Sequence, residues 1–180
     1  MQFDYEIRLP KERVAVLIGT KGETKRLLMD KLDVKLSIDS KEAIATLESD
    51  DGLKLMIARD VVKAISRGFN PEIALKLLHE DYFLDIIDIT DFVGDRKNKM
   101  DRVRARVIGR EGKARKQIAL VSDCDVVIYG KTVGIIGKHK YVALVRRAIE
   151  TLISGNKHSY VYKWLEEKCS NLRKEEKFGK

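Results

Sequence analysis

The chain has 180 residues, 44% of them hydrophobic, which leaves room for one large or two small domains and excludes a disordered tail. Its formal net charge of +8 points to an anionic partner, with nucleic acid first and an anionic membrane surface second; a solvated charged surface is the third reading. With no recognisable signal peptide or spanning segment, and two cysteines that lack metal-site spacing, we expect a cytoplasmic, reduced protein with no membrane association.

The first 70 residues carry a pattern of alternating and helical spacings that predicts six elements in the order β-α-α-β-β-α. We expect strands over 3–9, 34–38 and 43–47 and helices before Gly19 and over 23–32 and 51–67. The first strand should bury one face, and Leu27 and Leu28 should point inward from the second helix. A short extra helix is expected over residues 70–79, since Pro71 suits its start.

The same order returns in the second half of the chain. We predict strands over 82–89, 126–129 and 133–136 and helices before Gly109, over 113–121 and over 141–153. A last helix carries an apolar stripe of Val161, Trp164, Leu165, Cys169 and Leu172. This stripe should pack onto the second module, with a partner-binding helix as the alternative.

An internal repeat explains the recurring order. Residues 17–38 align without gaps with residues 107–128, which places Gly19 and Gly109 at equivalent positions. The prediction is an α+β protein with a first domain over 1–80, a second over 81–156 and a C-terminal amphipathic helix with a basic tail over 157–180.

Positive charge is concentrated near the second copy of the repeat. Residues 91–120 hold ten Lys or Arg and four acids, whereas residues 36–90 hold eleven acids and six bases. The positive potential should therefore be focused on one segment.

Each copy contains a Gly-x-x-Gly loop between two predicted helices, Gly19-Thr20-Lys21-Gly22 and Gly109-Arg110-Glu111-Gly112. Glycine permits a sharp turn and close approach of a phosphate, and the next helix N-terminus favours an anion. Lys21 and Arg110 add a cation, while Glu111 opposes it. One such loop is weak evidence; two in the same context are strong.

Both copies resemble the type I KH domain, an RNA-binding module with this element order. The resemblance implies that the loops clamp single-stranded RNA of about four nucleotides. It also implies a groove of Ile18 and Leu36 in the first copy and of Ile108, Val126 and Ile128 in the second, although each is equally a core candidate. Lys25 and Arg115 stand where the family usually has an apolar residue; we expect Arg115 to contact phosphate and leave Lys25 open.

The candidate RNA-binding residues lie in and around the two loops. They are Gly19, Thr20, Lys21, Gly22 and Lys25 in the first copy, and Arg104, Arg106, Ile108, Gly109, Arg110, Glu111, Gly112, Lys113, Arg115 and Lys116 in the second.

The whole chain resembles the archaeal form of the Dim-two, or partner-of-Nob-one, family of ribosome-assembly factors. The resemblance rests on the module spacing, the basic stretch before Gly109 and the segment from Leu152-Ile153-Ser154-Gly155-Asn156 to Tyr160-Val161-Tyr162. It implies binding near the 3′ end of small-subunit ribosomal RNA, beside a maturation endonuclease of the Nob type or another ribosome-assembly or translation factor. We expect the second module to supply most of the RNA affinity.

No catalytic constellation is recognised, and we expect no enzyme activity, cofactor or metal. The histidines His79, His139 and His158 are scattered, and the acids from Asp81 to Asp91 fit a solvated strand face. The loop Gly19–Gly22 lacks the Gly-Lys-Ser/Thr ending of a nucleotide-binding loop. Two alternatives stay open: a KH subunit of an RNA-decay or transcription complex, and an adaptor whose first module docks a protein.

Overall fold

The computed structural model describes residues 2–179 and divides into two compact units, residues 1–80 and 81–180. Met1 and Lys180, which bound the predicted first domain and basic tail, lie outside the described residues. Each unit contains a three-stranded antiparallel sheet and follows the order β-α-α-β-β-α through its third long helix. No helix in the described part of the chain is both long and apolar enough to cross a membrane.

The first unit places its last strand, β3 (Ile44–Ser49), between β1 (Phe3–Arg8) and β2 (Lys35–Asp39). Asp51 begins the third helix, because its side chain accepts hydrogen bonds from the N–H groups of Leu53 and Lys54. The elements are β1 (Phe3–Arg8), α1 (Lys11–Ile18), α2 (Glu23–Leu32), β2 (Lys35–Asp39), β3 (Ile44–Ser49), α3 (Gly52–Ser66) and α4 (Pro71–Ala74), which a 3₁₀ turn over Leu75–Leu78 follows.

Three predictions for the first unit are wrong in detail. Strand β1 does not bury a face, since Phe3 is 39% and Tyr5 43% exposed. It is an edge strand, and the buried side chains of its face belong to its partner β3. Leu27 is also 39% exposed, whereas Leu28 is fully buried. The helix predicted over 70–79 is one α-helical turn continued as a 3₁₀ turn.

The second unit repeats the sheet order as β4-β6-β5 and adds a long C-terminal helix. A short helix, unforeseen from the sequence, follows its first strand, where the Asp88 side chain accepts from the N–H and hydroxyl of Thr90. The elements are β4 (Tyr82–Asp88), α5 (Thr90–Val93), α6 (Lys97–Ile108), α7 (Lys113–Ser122), β5 (Asp125–Tyr129), β6 (Thr132–Lys138), α8 (His139–Ile153) and α9 (His158–Phe178).

Helix α9 is part of the second unit's core. Val161, Leu165 and Cys169 are at most 1% exposed and join one hydrophobic cluster with residues of α6, α7, α8 and the sheet. Trp164 and Leu172 pack at the edge of this cluster. The predicted packing of the apolar stripe onto the second module is therefore confirmed.

Candidate nucleic-acid interface

The two Gly-x-x-Gly loops have the same backbone conformation. Gly19 has φ 73° and ψ 174°, and Gly109 has φ 75° and ψ 168°. The third residue of each loop is left-handed, with φ 52° at Lys21 and 55° at Glu111. In both loops a single 3₁₀ turn leads into the next helix, so each loop presents the N-terminus of α2 or α7.

The first glycine of each loop is required by space as well as by torsion angle. A Cβ atom at Gly19 would lie 2.2 Å from Thr24 Oγ1, and one at Gly109 would lie 2.6 Å from the Ala114 backbone nitrogen. The second glycines, Gly22 and Gly112, have φ 75° and 74°, which glycine adopts without the steric cost of a side chain. Each loop is therefore a close contact between the ends of two helices.

The second loop has exposed cations on both sides of the turn. Arg110, Lys113 and Lys116 are all exposed, and Lys116 Nζ lies 3.4 Å from the Glu111 carbonyl oxygen. The Glu111 side chain is exposed as well, so its carboxylate opposes binding of an anion at the centre of the turn.

The first loop has a different pattern of charge. Thr20 and Lys21 are exposed, and Lys25 is half-buried one turn into α2. Arg26 is exposed as well and aligns with Lys116 of the second unit. The first loop differs in that Glu23 begins α2, where Lys113 begins α7.

The predicted groove residues fall into two groups. Ile18 and Ile108 are half-buried and directly precede the two loops, and Ile128 is half-buried on β5. Leu36 and Val126 are 2% and 4% exposed, so they belong to the cores and cannot present a face to a base. The accessible groove in the second unit is thus narrower than the sequence predicted.

Arg104 has an unusual environment on α6. It precedes Ile108 by one helical turn, so the two residues share a face of the helix. Its Nε atom is buried and has no hydrogen-bond partner among the described residues. Burying a donor without a partner costs about 1–3 kcal/mol.

Arg115 has a structural contact that the sequence did not reveal. Its Nη1 donates to the carbonyl oxygen of Val126 at 3.2 Å. Strand β5 is an edge of its sheet, so this bond covers one acceptor on that edge. A guanidinium carries five N–H donors, and Arg115 therefore keeps donors for a phosphate.

Arg106 also stabilises the fold. Its Nε donates to the Leu152 carbonyl at 3.1 Å and its Nη2 donates to the Asn156 carbonyl, so it caps the C-terminal end of α8. Arg13 makes the matching bonds in the first unit, from Nε to Ile65 at 2.8 Å and from Nη2 to Phe69 at 2.7 Å. These charge-assisted hydrogen bonds satisfy carbonyl groups that have no donor within the helix at its C-terminal end.

A concavity of about 460 Å³ lies on the outer side of the second loop, where α6 and α9 meet. His158 Nε2 lies 2.8 Å from the Arg106 carbonyl oxygen, and its ring meets that of Tyr162 edge to face with centroids 6.0 Å apart. Burial raises the pKa of Tyr162, so its hydroxyl stays protonated near neutral pH. This α6–α9 concavity is lined by Arg102, Arg106, Arg110, Lys113, His158 and Tyr162.

Sequence reasoning missed three of these side chains, Arg102, His158 and Tyr162. Tyr162 carried a signal, since it lies in the segment that supports the family resemblance. Arg102 was counted only as part of the basic stretch, and His158 was one of three histidines that are scattered along the chain.

Two acids in and next to β4 hold ion pairs. Asp85 accepts from Arg146 Nη1 through both carboxylate oxygens, at 2.7 and 2.9 Å, and Asp81 lies 3.6 Å from Lys138 Nζ. Within residues 2–179, no group of three or more His, Cys, Asp or Glu side chains is placed to hold a metal ion.

Comparison with known proteins identifies the family. Residues 83–170 match the model of the second KH domain of PNO1, described as a eukaryotic-type KH domain of type I. A KH domain-containing protein of Methanocaldococcus jannaschii is 42% identical over 171 residues, which is 93% of this chain and 75% of that protein. The pre-rRNA-processing protein PNO1 of Phaeosphaeria nodorum is 31% identical over 135 residues; the match covers 73% of this chain and about half, 52%, of that relative.

Solved structures extend the similarity over most of the chain. Dim2p of Pyrococcus horikoshii superposes with a TM-score of 0.86 at 41% identity, covering 92% of this chain and 99% of that one. A chain from the a/eIF2alpha–aDim2p–rRNA complex of the same organism gives a TM-score of 0.88 at 40% identity, covering 94% and 96% of the two chains. The two loops, the element order and these similarities together show that the chain belongs to the Dim2p/PNO1 family of KH-domain proteins.

Proposed function

We propose that this chain binds single-stranded RNA near the 3′ end of small-subunit ribosomal RNA during ribosome assembly, as a binding protein without catalytic activity. The observation that carries the proposal is the second Gly-x-x-Gly loop, where exposed Arg110, Lys113 and Lys116 surround the N-terminus of α7. Phosphates are attracted to this arrangement by its charge and by the backbone N–H groups of the helix end. A relative that is named a pre-rRNA-processing protein and a neighbour solved with rRNA support ribosomal RNA as the ligand.

We also propose that the first unit is a second KH domain, which makes the chain a tandem pair of type I KH domains over residues 1–80 and 81–156, followed by the C-terminal helix. The support is the matching order of its strands and longer helices, its sheet order and the matching torsion angles of its loop. Because α2 begins with Glu23 where α7 begins with Lys113, this domain contributes less RNA affinity than the second.

The test is fluorescence anisotropy with an unpaired oligonucleotide from the 3′ end of small-subunit ribosomal RNA. Wild type is compared with Arg110→Asp plus Glu111→Asp and with Thr20→Asp plus Lys21→Asp. The second-loop variant should lose roughly tenfold or more in affinity, and the first-loop variant less, although it introduces the larger change of charge. If neither pair changes affinity, or the wild type does not bind, the RNA proposal fails.

A protein-docking role for the first unit is a second candidate. One neighbour was solved in a complex that contains a/eIF2alpha as well as rRNA. The first unit has a concavity of about 460 Å³ lined by four acids and two lysines. Lys35 pairs with Glu48 and Lys54 pairs with Asp33, which leaves Asp50 and Asp51 as its net negative charge. An acidic surface of this kind suits a basic protein partner, such as a translation factor or a maturation endonuclease of the Nob type. Asp50→Lys should then weaken binding of that factor and leave RNA affinity unchanged in the same anisotropy assay.

A further inference from the structure

The α6–α9 concavity is electropositive and continuous with the second loop. Arg110 and Lys113 belong both to the loop region and to the concavity, and Arg102 and Arg106 extend the charge along the outer side of α6. None of the residues that line it, within the described part of the chain, carries a carboxylate. Arg102, Arg110 and Lys113 are exposed, so their charges face solvent where an anion can approach.

The concavity is separate from the groove predicted beside the loop. Arg104 and Ile108 occupy one flank of α6. Arg102 and Arg106 lie on a different flank of the same helix, where the walls are the start of α7 and the first turn of α9. The loop Gly109–Gly112 thus lies between the two surfaces.

The α9 side of the concavity supplies aromatic rings at a fixed position. The His158 contact to the Arg106 carbonyl ties the start of α9 to α6. Tyr162 is half-buried and packs against the core, so its ring is held in place. Aromatic rings beside basic side chains are the arrangement that stacks an unpaired base while its phosphate is neutralised. A volume of about 460 Å³ falls within the range of small-ligand sites.

We propose that the α6–α9 concavity is an additional nucleotide subsite, which takes the phosphate and base of a nucleotide that continues the RNA strand beyond the Gly109–Gly112 loop. The inference rests on the proposed RNA-binding function and deepens it, because it makes Arg102 and Tyr162 of this chain part of the RNA interface. The RNA footprint of the second unit then exceeds the roughly four nucleotides that a KH loop clamps.

The experiment measures anisotropy with three oligonucleotides: a tetranucleotide that the wild type binds, and the same sequence extended by four nucleotides at its 5′ or at its 3′ end. Arg102→Glu is the test variant, because Arg102 is exposed and its replacement leaves the core intact. Lys174→Glu is the matched control, since it makes the same charge change at an exposed position twelve residues beyond Tyr162, about 18 Å further along α9.

Arg102→Glu should weaken one extended oligonucleotide roughly fivefold, leave the tetranucleotide unchanged and differ from Lys174→Glu. Arg102→Lys should retain most of the affinity, and Tyr162→Leu should weaken the same extended oligonucleotide. Equal effects of Arg102→Glu and Lys174→Glu on every oligonucleotide, or no effect on either extension, would overturn the subsite. So would saturable binding of AMP alone that Arg102→Glu abolishes, because the site would then serve a free nucleotide.

The tetranucleotide separates this inference from the function on which it rests. If the wild type binds the tetranucleotide and the Arg110→Asp plus Glu111→Asp variant does not, the RNA-binding function of the loop is supported. This conclusion does not depend on the result for Arg102→Glu. If the tetranucleotide does not respond to the loop variant, the proposed function fails independently of the concavity.

Discussion

The four loop glycines are not equivalent at the level of single residues. Gly109 and Gly112 have nearly the same positive φ, but only a Cβ at Gly109 would meet backbone within 3 Å. A Cβ at Gly112 has the flexible end of Lys116 as its nearest neighbour, at 3.7 Å. A Cβ added at Gly112 therefore has only the energetic cost of the left-handed conformation, whereas a Cβ added at Gly109 has in addition the cost of a steric clash.

Gly112→Ala should lower the free energy of unfolding by about 1–2 kcal/mol, the cost of placing a non-glycine residue in the left-handed region. Gly109→Ala should cost more, since α6 and α7 must also move apart. Urea unfolding followed by circular dichroism compares the two variants directly. Equal costs would show that the close contact at Gly109 relaxes without penalty.

The Cys124 thiol is shielded from reaction at the residue scale. Burial raises its pKa from 9.0 to about 12, because the thiolate is poorly solvated there. The pKa of the thiol is higher in the folded than in the unfolded protein, so the protonated thiol contributes to the free energy of unfolding. This contribution is complete below about pH 9 and is lost as the pH rises towards 12.

Wild-type protein should therefore lose more stability between about pH 8 and pH 10.5 than Cys124→Ala, measured as the shift of the urea midpoint. The native thiol should also resist a disulfide reagent at about pH 8 and react on unfolding. A Cys124→Ala variant with the same alkaline loss as wild type would assign the loss to other groups, such as Tyr141, whose pKa burial also raises to about 12.

Helices and strands were predictable where a local pattern determines them. Helix α2 begins and ends where its spacing predicted, and both loops were found because each repeats the same glycines. The exposure of β1 was not predictable, because alternation shows which side chains share a face and not how fully the facing helix covers an edge strand. The caps by Arg13 and Arg106 were equally hidden, since their acceptors lie 46–56 residues away along the chain.

The arginine cap gives a prediction for α8. Arg106→Ala should lower the free energy of unfolding by about 1.5–3 kcal/mol, because the Leu152 and Asn156 carbonyls lose a charged donor. Arg106→Lys should restore little of it, since one ammonium replaces a planar fork that reaches two acceptors. Urea unfolding measures both variants, and full rescue by lysine would show that charge alone matters there.

At the scale of the whole chain, all of the net charge falls in the second unit. Residues 1–80 hold 14 basic and 14 acidic residues, whereas residues 81–180 hold 22 and 14. The formal charge of +8 is therefore the charge of the second unit. Which bases an RNA must carry was not predictable, because the groove is shaped by half-buried side chains whose exposure depends on packing.

This asymmetry predicts the salt dependence of RNA binding. The logarithm of affinity should fall linearly with the logarithm of salt concentration between about 50 and 200 mM, with a slope of about −0.7 per phosphate neutralised. Arg110→Asp plus Glu111→Asp should make this slope shallower, and Thr20→Asp plus Lys21→Asp should change it less. A larger change from the first-loop pair would place the main phosphate contacts in the first unit.

The shared backbone of the two loops has one more consequence. Residues 21 and 111 adopt the same left-handed conformation, although one is Lys and the other is Glu. The flanking glycines hold the turn, so its path does not depend on the sign of the charge it displays. The two middle residues of each loop can therefore be exchanged while the backbone of the turn stays the same. Changing the charges at these four positions, by design or by selection, would adjust the RNA affinity of one module relative to the other. Both hydrophobic cores would stay unchanged.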